Sequence, residues 1–324
     1  MVMPLITLKN IQEARKAIAP FIKSTPLVKS QFLTTFCGCP LFLKLENLQI
    51  TSSFKPRGVF NKLLHLSVEE KDRGIVTASA GNHGQAVAFA AQKLDHYARV
   101  VVPKTTPKVK IEGIRKYGAD LVLFGDTYDE AERKAKELSQ KDGCAYISPY
   151  NDEHIIAGHG TIGLEIVEAV PDVDVVMVPL GGGGLISGIS IAVKSTLPNV
   201  KVIGVQSKSS PVMHESLKAG KIVAVQRAKT KSVAEGLSGN VGPITFGIVQ
   251  ECVDRVLLVE EATLRHAVFL LWKYDKQVVE GSGAAAVAPI MEDKPLFKGK
   301  RVVCVVTGGN IDNDLFQSIL ASEG

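Results

Sequence analysis

Two stretches of this sequence carry residues that could do chemistry. In TSSFKPRG (51–58) a lysine, Lys55, sits between Phe54 and Pro56, and in VPLGGGGLISGIS (178–190) four glycines run consecutively from Gly181 to Gly184. An amine held among apolar neighbours is driven toward its neutral, nucleophilic form, because burial disfavours the charge. The plain alternative is a turn lysine with its ammonium in water. Four glycines cost backbone entropy, and between a strand and a helix they let a ligand approach the main chain closely. Their N–H groups and the helix start then form an anion site suited to phosphate. A tight turn needing one glycine at positive φ is the competing explanation.

The pattern around the glycines narrows the phosphate. The dinucleotide spacing Gly-x-Gly-x-x-Gly fails, because its third position falls on Ile186 or Ser187. The following strand also ends in Gln206, where a ribose-binding acid is expected. No Gly-Lys-Ser/Thr closes the loop, so the Walker pattern fails as well. A phosphate without a nucleotide signature remains.

Two further loops share the glycine-polar style. TASAGNHGQA (77–86) presents Ser79, Ala80, Gly81, Asn82 and His83 after an apolar run, and VVTGGN (305–310) presents Thr307, two glycines and Asn310. In open α/β folds, ligands bind outside the carboxyl ends of strands, so such loops can converge on one crevice. Each residue also has an ordinary use. Asn82 and Asn310 suit helix caps or turns, His83 suits a satisfied structural histidine, and Thr307 could merely end a strand.

The elements that must position these residues are visible as periodicity. From 73 to 147 apolar runs alternate with helical patterns as strand, helix, strand, helix, strand, helix, strand. That order argues for a parallel α/β unit. The grammar restarts at VDVVMVPL (173–180), continues through a helix from Gly184 to about Leu197 and KVIGVQ (201–206), and closes with KRVVCVVTGGN (300–310). We expect two open, twisted α/β lobes with a cleft between them. Residues 1–65 and 152–324 would form the larger and 66–151 the smaller, with a soft boundary near SPYNDEH (148–154).

Composition excludes several classes. The 324 residues are 45% hydrophobic, enough for a large core, and carry a net charge of +5 from 38 Lys+Arg against 33 Asp+Glu. No dense basic block with interleaved aromatics marks a nucleic-acid partner. Apolar runs such as VVMVPL (175–180) fall far short of the ~20 residues a membrane span needs. The start MVMPLITLKNIQEARKAIAP reads as a short apolar stretch running into an amphipathic helix, without a signal peptide. Five cysteines in no zinc spacing, including the pair Cys37 and Cys39, read as reduced thiols of a cytoplasmic protein. No metal site is expected.

Seven segments together resemble one family: LENLQITSSFKPRG (45–58), TASAGNHGQA (77–86), AGHGTIGLEI (157–166), VPLGGGGLISGI (178–189), VAEGL (233–237), VVEGSGAA (278–285) and VVTGGNID (305–312). In this order they are similar to the pyridoxal-phosphate enzymes of the tryptophan-synthase β-subunit type (fold type II), and within them to the serine/threonine dehydratases and serine racemases. The resemblance implies pyridoxal 5'-phosphate held in the cleft and covalently bound to Lys55 as a Schiff base. It implies Phe54 against the pyridine ring, and Gly181, Gly182, Gly183 and Gly184 with the Leu185 N–H on the phosphate. Asn82 would bond the phenolic oxygen and Thr307 the pyridine nitrogen. The loop of Ser79, Ala80, Gly81, Asn82 and His83 would receive the substrate carboxylate. Glu280 falls near the cofactor with no assigned role.

The implied reaction is β-elimination: dehydration and deamination of L-threonine or L-serine to a 2-oxo acid and ammonia, with Lys55 as base at Cα. A hydroxyl partner such as Thr307 does not enforce a protonated pyridine, which disfavours a long-lived carbanion and suits early loss of a β-hydroxyl. Departures from the family pattern bear on the choice. Ser52 stands where a glycine is common, a change expected to touch loop geometry only. Ala80 stands where racemases carry a second acid/base serine. Gln206, Ser210 and Val212 replace the racemases' acidic metal site. The chain ends soon after TGGNID, so the regulatory domain of biosynthetic threonine dehydratases is expected to be absent, and VIGVQS and VEGSGA look more like the short catabolic dehydratases. A small amino-acid substrate and a homodimer or homotetramer are the implied partners. Racemase, β-replacing synthase and hydroxyaspartate dehydratase are the alternatives on this scaffold. A non-catalytic nucleotide-binding protein and a dehydrogenase are the alternatives outside this cofactor class.

Overall fold

The computed structural model describes residues 6–225 and 232–323; the apolar start at residues 1–5 lies outside them. Among the described residues, ten strands form two sheets. They are β1 (Leu27–Lys29), β2 (Leu41–Leu45), β3 (Ile75–Ala78), β4 (Ala98–Val102), β5 (Asp120–Leu123), β6 (Ala145–Tyr146), β7 (Val175–Pro179), β8 (Lys201–Ser207), β9 (Arg255–Val259) and β10 (Val302–Val306). The larger sheet has the order β1-β2-β10-β7-β8-β9 and the smaller β5-β4-β3-β6. All pairings are parallel except that of β1 with β2.

The inner strands are near-continuous apolar runs because both of their faces are covered, whereas the edge strands β1, β5 and β9 keep exposed residues. In β10, Val302, Cys304 and Val306 enter one core cluster, while Val303 and Val305 enter the cluster on the opposite face. β7 repeats this division with Val175 and Met177 against Val176 and Val178. The smaller sheet buries Val76, Ala78 and Val101 on one side and Val100 and Val102 on the other.

Helices fill the crossovers, with ends set by local chemistry. Asp152 accepts from the N–H groups of His154 and Ile155 and starts the helix Glu153–Ala169. That helix crosses Gly184–Thr196 closely enough that a Cβ on Gly188 would lie 2.2 Å from the Ile156 carbonyl oxygen. It also packs on the helix Lys55–Leu64, where a Cβ on Gly158 would lie 2.4 Å from the Arg57 carbonyl oxygen. Glycine is therefore required at both crossings. No helix among the described residues is long and apolar enough to cross a membrane.

Two buried cations pin the Lys55 helix to the sheet. Arg57, fully buried, donates through Nε and Nη2 to Glu46 at 2.8 Å each, and through Nη1 to Glu165 at 2.6 Å and Thr161 at 3.1 Å. Lys44, buried on β2, pairs with Glu165 and donates to the Thr25 carbonyl at 2.7 Å. Two positive and two negative side chains thus balance in the interior, where an unpaired charge is costly. Arg57→Met strands Glu46 without its cation, so stability should fall by about 3–5 kcal/mol. Urea unfolding reads this directly, and an unchanged midpoint would mean the network does not hold the helix.

Candidate active site

β2, β10 and β7 lie side by side and parallel, so their carboxyl ends open on one edge of the sheet. The chain leaving β2 reaches Lys55, that leaving β10 carries Thr307, and that leaving β7 is the glycine run. Hydrogen bonds stitch the first two together. Phe54 N–H donates to the Thr307 carbonyl at 3.1 Å, Gly309 N–H to the Ser52 carbonyl at 2.9 Å, and Asn310 Nδ2 to the Thr51 carbonyl at 2.8 Å. Thr51 and Ser52 have φ of 61° and 55°, the left-handed region that costs a non-glycine residue roughly 1–2 kcal/mol. Serine at position 52 therefore keeps a backbone that suits glycine, held by bonds on either side.

Lys55 is the first residue of its helix, and Phe54 at the N-cap makes no side-chain capping bond. Its Nζ donates to the Pro149 carbonyl at 2.9 Å and lies 4.9 Å from the centroid of the Phe54 ring. Burial lowers the amine's pKa to about 8, against the opposing pull of the Glu280 carboxylate. Pro149 belongs to the segment after β6, and the next residue, Tyr150, lies over the glycine run. A Cβ on Gly182 would fall 2.5 Å from the Tyr150 ring, and one on Gly184 would fall 2.8 Å from its backbone.

Gly183 has φ of 93° and is the N-cap of the helix Gly184–Thr196, which starts without a side-chain cap. A Cβ there would also fall 2.9 Å from Thr245. The carbonyl of Gly236 and the backbone of Leu237 wall the other side, each 3.1 Å from where a Gly181 side chain would begin. The result is a main-chain cradle at the positive end of a helix, with no room for side chains. Thr307, buried between cradle and lysine, donates through Oγ1 to the Ser282 carbonyl at 3.4 Å.

The facing wall comes from the smaller sheet. Gly81 caps the helix Asn82–Lys93, so Asn82 is not the cap its type allows. Its Nδ2 instead donates to Glu280 at 2.7 Å and its Oδ1 accepts from Asn310 at 2.8 Å. Asn310 is likewise spent on these bonds rather than on a cap. Ser79 Oγ accepts from the Gly81 N–H at 3.2 Å, and Ala80 packs against the cluster of Ala88, Val100, Val102 and Ile114. The His83 ring turns inward, with Nε2 3.1 Å from the Ile147 carbonyl. Burial and the nearby Lys55 lower its pKa to about 3. The ring is structural, and what His83 offers the cleft is main chain.

Several site residues escaped the sequence reading. His159, fully buried in the helix Glu153–Ala169, meets the Phe54 ring edge-on at 4.7 Å, and neither ring nitrogen has a hydrogen-bond partner. Its pKa is far below the ordinary value because of burial and Lys55. Tyr150 gave no signal in a segment read as a boundary. Glu280, flagged without a role, is buried with its pKa raised to about 7, chiefly by burial and against the Asn82 bond. Gln206 accepts from His214 N–H at 2.8 Å and donates to the Ser210 carbonyl at 3.5 Å, so its amide ties this loop internally.

A buried amine of lowered pKa and a main-chain anion cradle on neighbouring strand ends, with a buried hydroxyl between them, fit an aldehyde that carries a phosphate. Comparison with known proteins agrees: residues 18–308 match the family of pyridoxal-phosphate dependent enzymes. The chain belongs to that family. It is 45% identical over 317 residues to an L-threonine ammonia-lyase of Thermotoga maritima, covering 98% of this chain and 78% of that one. Among solved structures, the processed threonine deaminase isoform 2 of Solanum lycopersicum superposes with a TM-score of 0.92 at 36% identity, over 98% of this chain and 93% of that one. Maize serine racemase superposes with a TM-score of 0.91 at 32% identity, over 98% of both chains. The protein is an enzyme, and pyridoxal phosphate is its cofactor.

The buried amine can be tested before the cofactor is added. In the apoprotein, Lys55 should react with an acylating reagent along a pH curve with its midpoint near 8, while exposed lysines follow a midpoint about two units higher. Peptide-resolved labelling measures this. A Lys55 curve overlying that of surface lysines would mean the wall does not neutralise the amine.

Proposed function

We propose that this enzyme is an ammonia-lyase that dehydrates and deaminates L-threonine, L-serine or both to a 2-oxo acid. The observation that carries the reading is the buried Lys55, its pKa lowered to about 8, on strand ends that also carry the glycine cradle, with an alanine and not a proton donor at position 80. In this reading Gly181, Gly182, Gly183 and Gly184 with Leu185 N–H hold the phosphate, and Lys55 holds the aldehyde carbon. Phe54 flanks the ring, Thr307 faces the pyridine nitrogen, and Asn82 reaches the phenolic oxygen with its second Nδ2 hydrogen.

Bound pyridoxal phosphate supplies the electron sink that makes Cα–H of an attached amino acid acidic. The protein's part is placement and proton handling. In this reading the N–H groups of the loop Ser79–His83, at a helix start that lacks a side-chain cap, receive the substrate carboxylate. Lys55 Nζ, with a pKa of about 8, is a fitting base for the Cα proton near neutral pH. Glu280, joined to Asn82, holds or yields a proton over the same range, since its pKa is raised to about 7.

The structural likeness to maize serine racemase favours racemisation as the second reading. Racemisation needs a proton donor on the face of Cα opposite Lys55. The Ala80 methyl cannot supply one. The relatives named threonine ammonia-lyase and threonine deaminase support elimination instead.

We further infer a cytoplasmic homo-oligomer, a dimer or tetramer. The described cysteines are all unpaired, which suits a reducing compartment. Trp272, Tyr274 and Val278 offer an exposed apolar surface that assembly would cover.

The holoenzyme should release 2-oxo acid from L-threonine and L-serine, and D-serine should form roughly 100-fold more slowly than pyruvate or less, for want of a second acid. Keto-acid assay beside chiral analysis of recovered serine decides it. D-serine appearing as fast as pyruvate would make the enzyme a racemase, and turnover of neither amino acid would overturn the lyase reading.

A further inference from the structure

Lys110 lies on the helix Lys108–Arg115 of the smaller lobe, and its Nζ is 2.8 Å from Glu235 Oε2 of the larger lobe. Among the described residues, no other ion pair joins residues 68–146 to the rest of the chain. The remaining pairs near the smaller sheet stay within it, as Arg99 does with Asp142.

Both ends of the pair rest on the active site. Glu235 opens the turn Glu235–Leu237, whose next residue, Gly236, donates its N–H to Ser282 Oγ at 2.9 Å. The Gly236 carbonyl and Leu237 are the backbone that walls the cradle at Gly181. On the other side, the Lys110 helix packs through Gly113 on Gln85, a Cβ there falling 3.3 Å from the Gln85 amide. Gln85 belongs to the helix that begins at Asn82, the carrier of the Ser79–His83 loop. A pull between Lys110 and Glu235 therefore draws the loop facing the substrate toward the wall of the cradle.

We propose that Lys110 and Glu235 form the electrostatic tie that holds the two lobes closed over the active site, and that this tie sets substrate affinity rather than the chemical step. The bonds of Asn82 to Glu280 and Asn310 also cross the cleft, but they lie inside it and align groups around the reacting centre. The ion pair is at the rim. Lys110 and Glu235 keep 36% and 57% of their side-chain surface exposed, so each charge is hydrated when the lobes part. An exposed pair contributes at most about five-fold to an equilibrium. That suits a closure which must reopen to release product. Breaking the tie lowers the closed population, and apparent affinity falls by the same factor. Lys55 and the cradle glycines keep their chemistry. Because the charges of Lys110 and Glu235 also act through space on Glu280, kcat is compared at each variant's own pH optimum, where it changes little.

The test is charge reversal in the holoenzyme. Lys110→Glu and Glu235→Lys should each raise KM by roughly three- to ten-fold, repulsion adding to the lost attraction, with kcat within about two-fold of the parent. The double swap should return KM to within about two-fold of the parent, which a fold defect at either site would not do. Amide exchange supplies a readout independent of turnover. Residues 79–83 and 233–239 should exchange faster in either single variant and at the parental rate in the swap. Parental KM and exchange in both single variants, or a swap as impaired as the worse single, would overturn the tie. The KM arm rests on the ammonia-lyase reading; if neither threonine nor serine turns over, that reading fails and amide exchange alone decides the tie.

Discussion

The structure depends on lowering the pKa of one buried amine, Lys55, to about 8 while two other buried cations stay paired. Arg57 and Lys44, on the elements that carry Lys55, are matched by Glu46 and Glu165. No carboxylate pairs directly with Lys55: its Nζ donates to a backbone carbonyl, and Glu280 acts on it only through space. Its place at the start of a helix adds the positive end of the backbone dipole, which disfavours a further cation. Burial, the helix end and the balanced pairs behind it all push the same way. The neighbouring His83 and His159 are held neutral by the same burial and by Lys55.

That constraint explains the arrangement of elements around it. Because β10 runs between β2 and β7, the lysine segment, the Thr307 loop and the glycine cradle leave the sheet at one edge and in a fixed order. The glycines at the helix crossings let the helices that start at Lys55, Glu153 and Gly184 pack within backbone contact. The site is thus built on helix starts and strand ends, and the strained pair Thr51 and Ser52 is held by the Thr307 loop. The same fold superposes on both a threonine deaminase and a serine racemase.

The alternation of apolar runs and helical patterns was legible because every strand of both sheets is short and most are buried on two faces. Lys55 and the glycine run were legible because their local sequence is costly unless used. What was not legible depends on partners distant in the chain. Glu280 gains meaning only when Asn82, 198 residues away, donates to it. Arg57 looks like a surface residue until Glu46 and Glu165 surround it. Asn82 and Asn310 allowed a capping explanation that only the Gly81 cap and their cross-cleft bonds remove. His159 sits in a small-residue helix whose periodicity says core, and nothing local shows that its ring meets Phe54.

The central claim is that the cofactor's carbon is held by Lys55, the amine whose pKa burial lowers. Borohydride reduction of the holoenzyme followed by peptide mapping tests it most directly. The account predicts the pyridoxyl group on Lys55, in the peptide that contains Phe54 and Pro56. A pyridoxyl group on Lys44, Lys110 or any other lysine would contradict it.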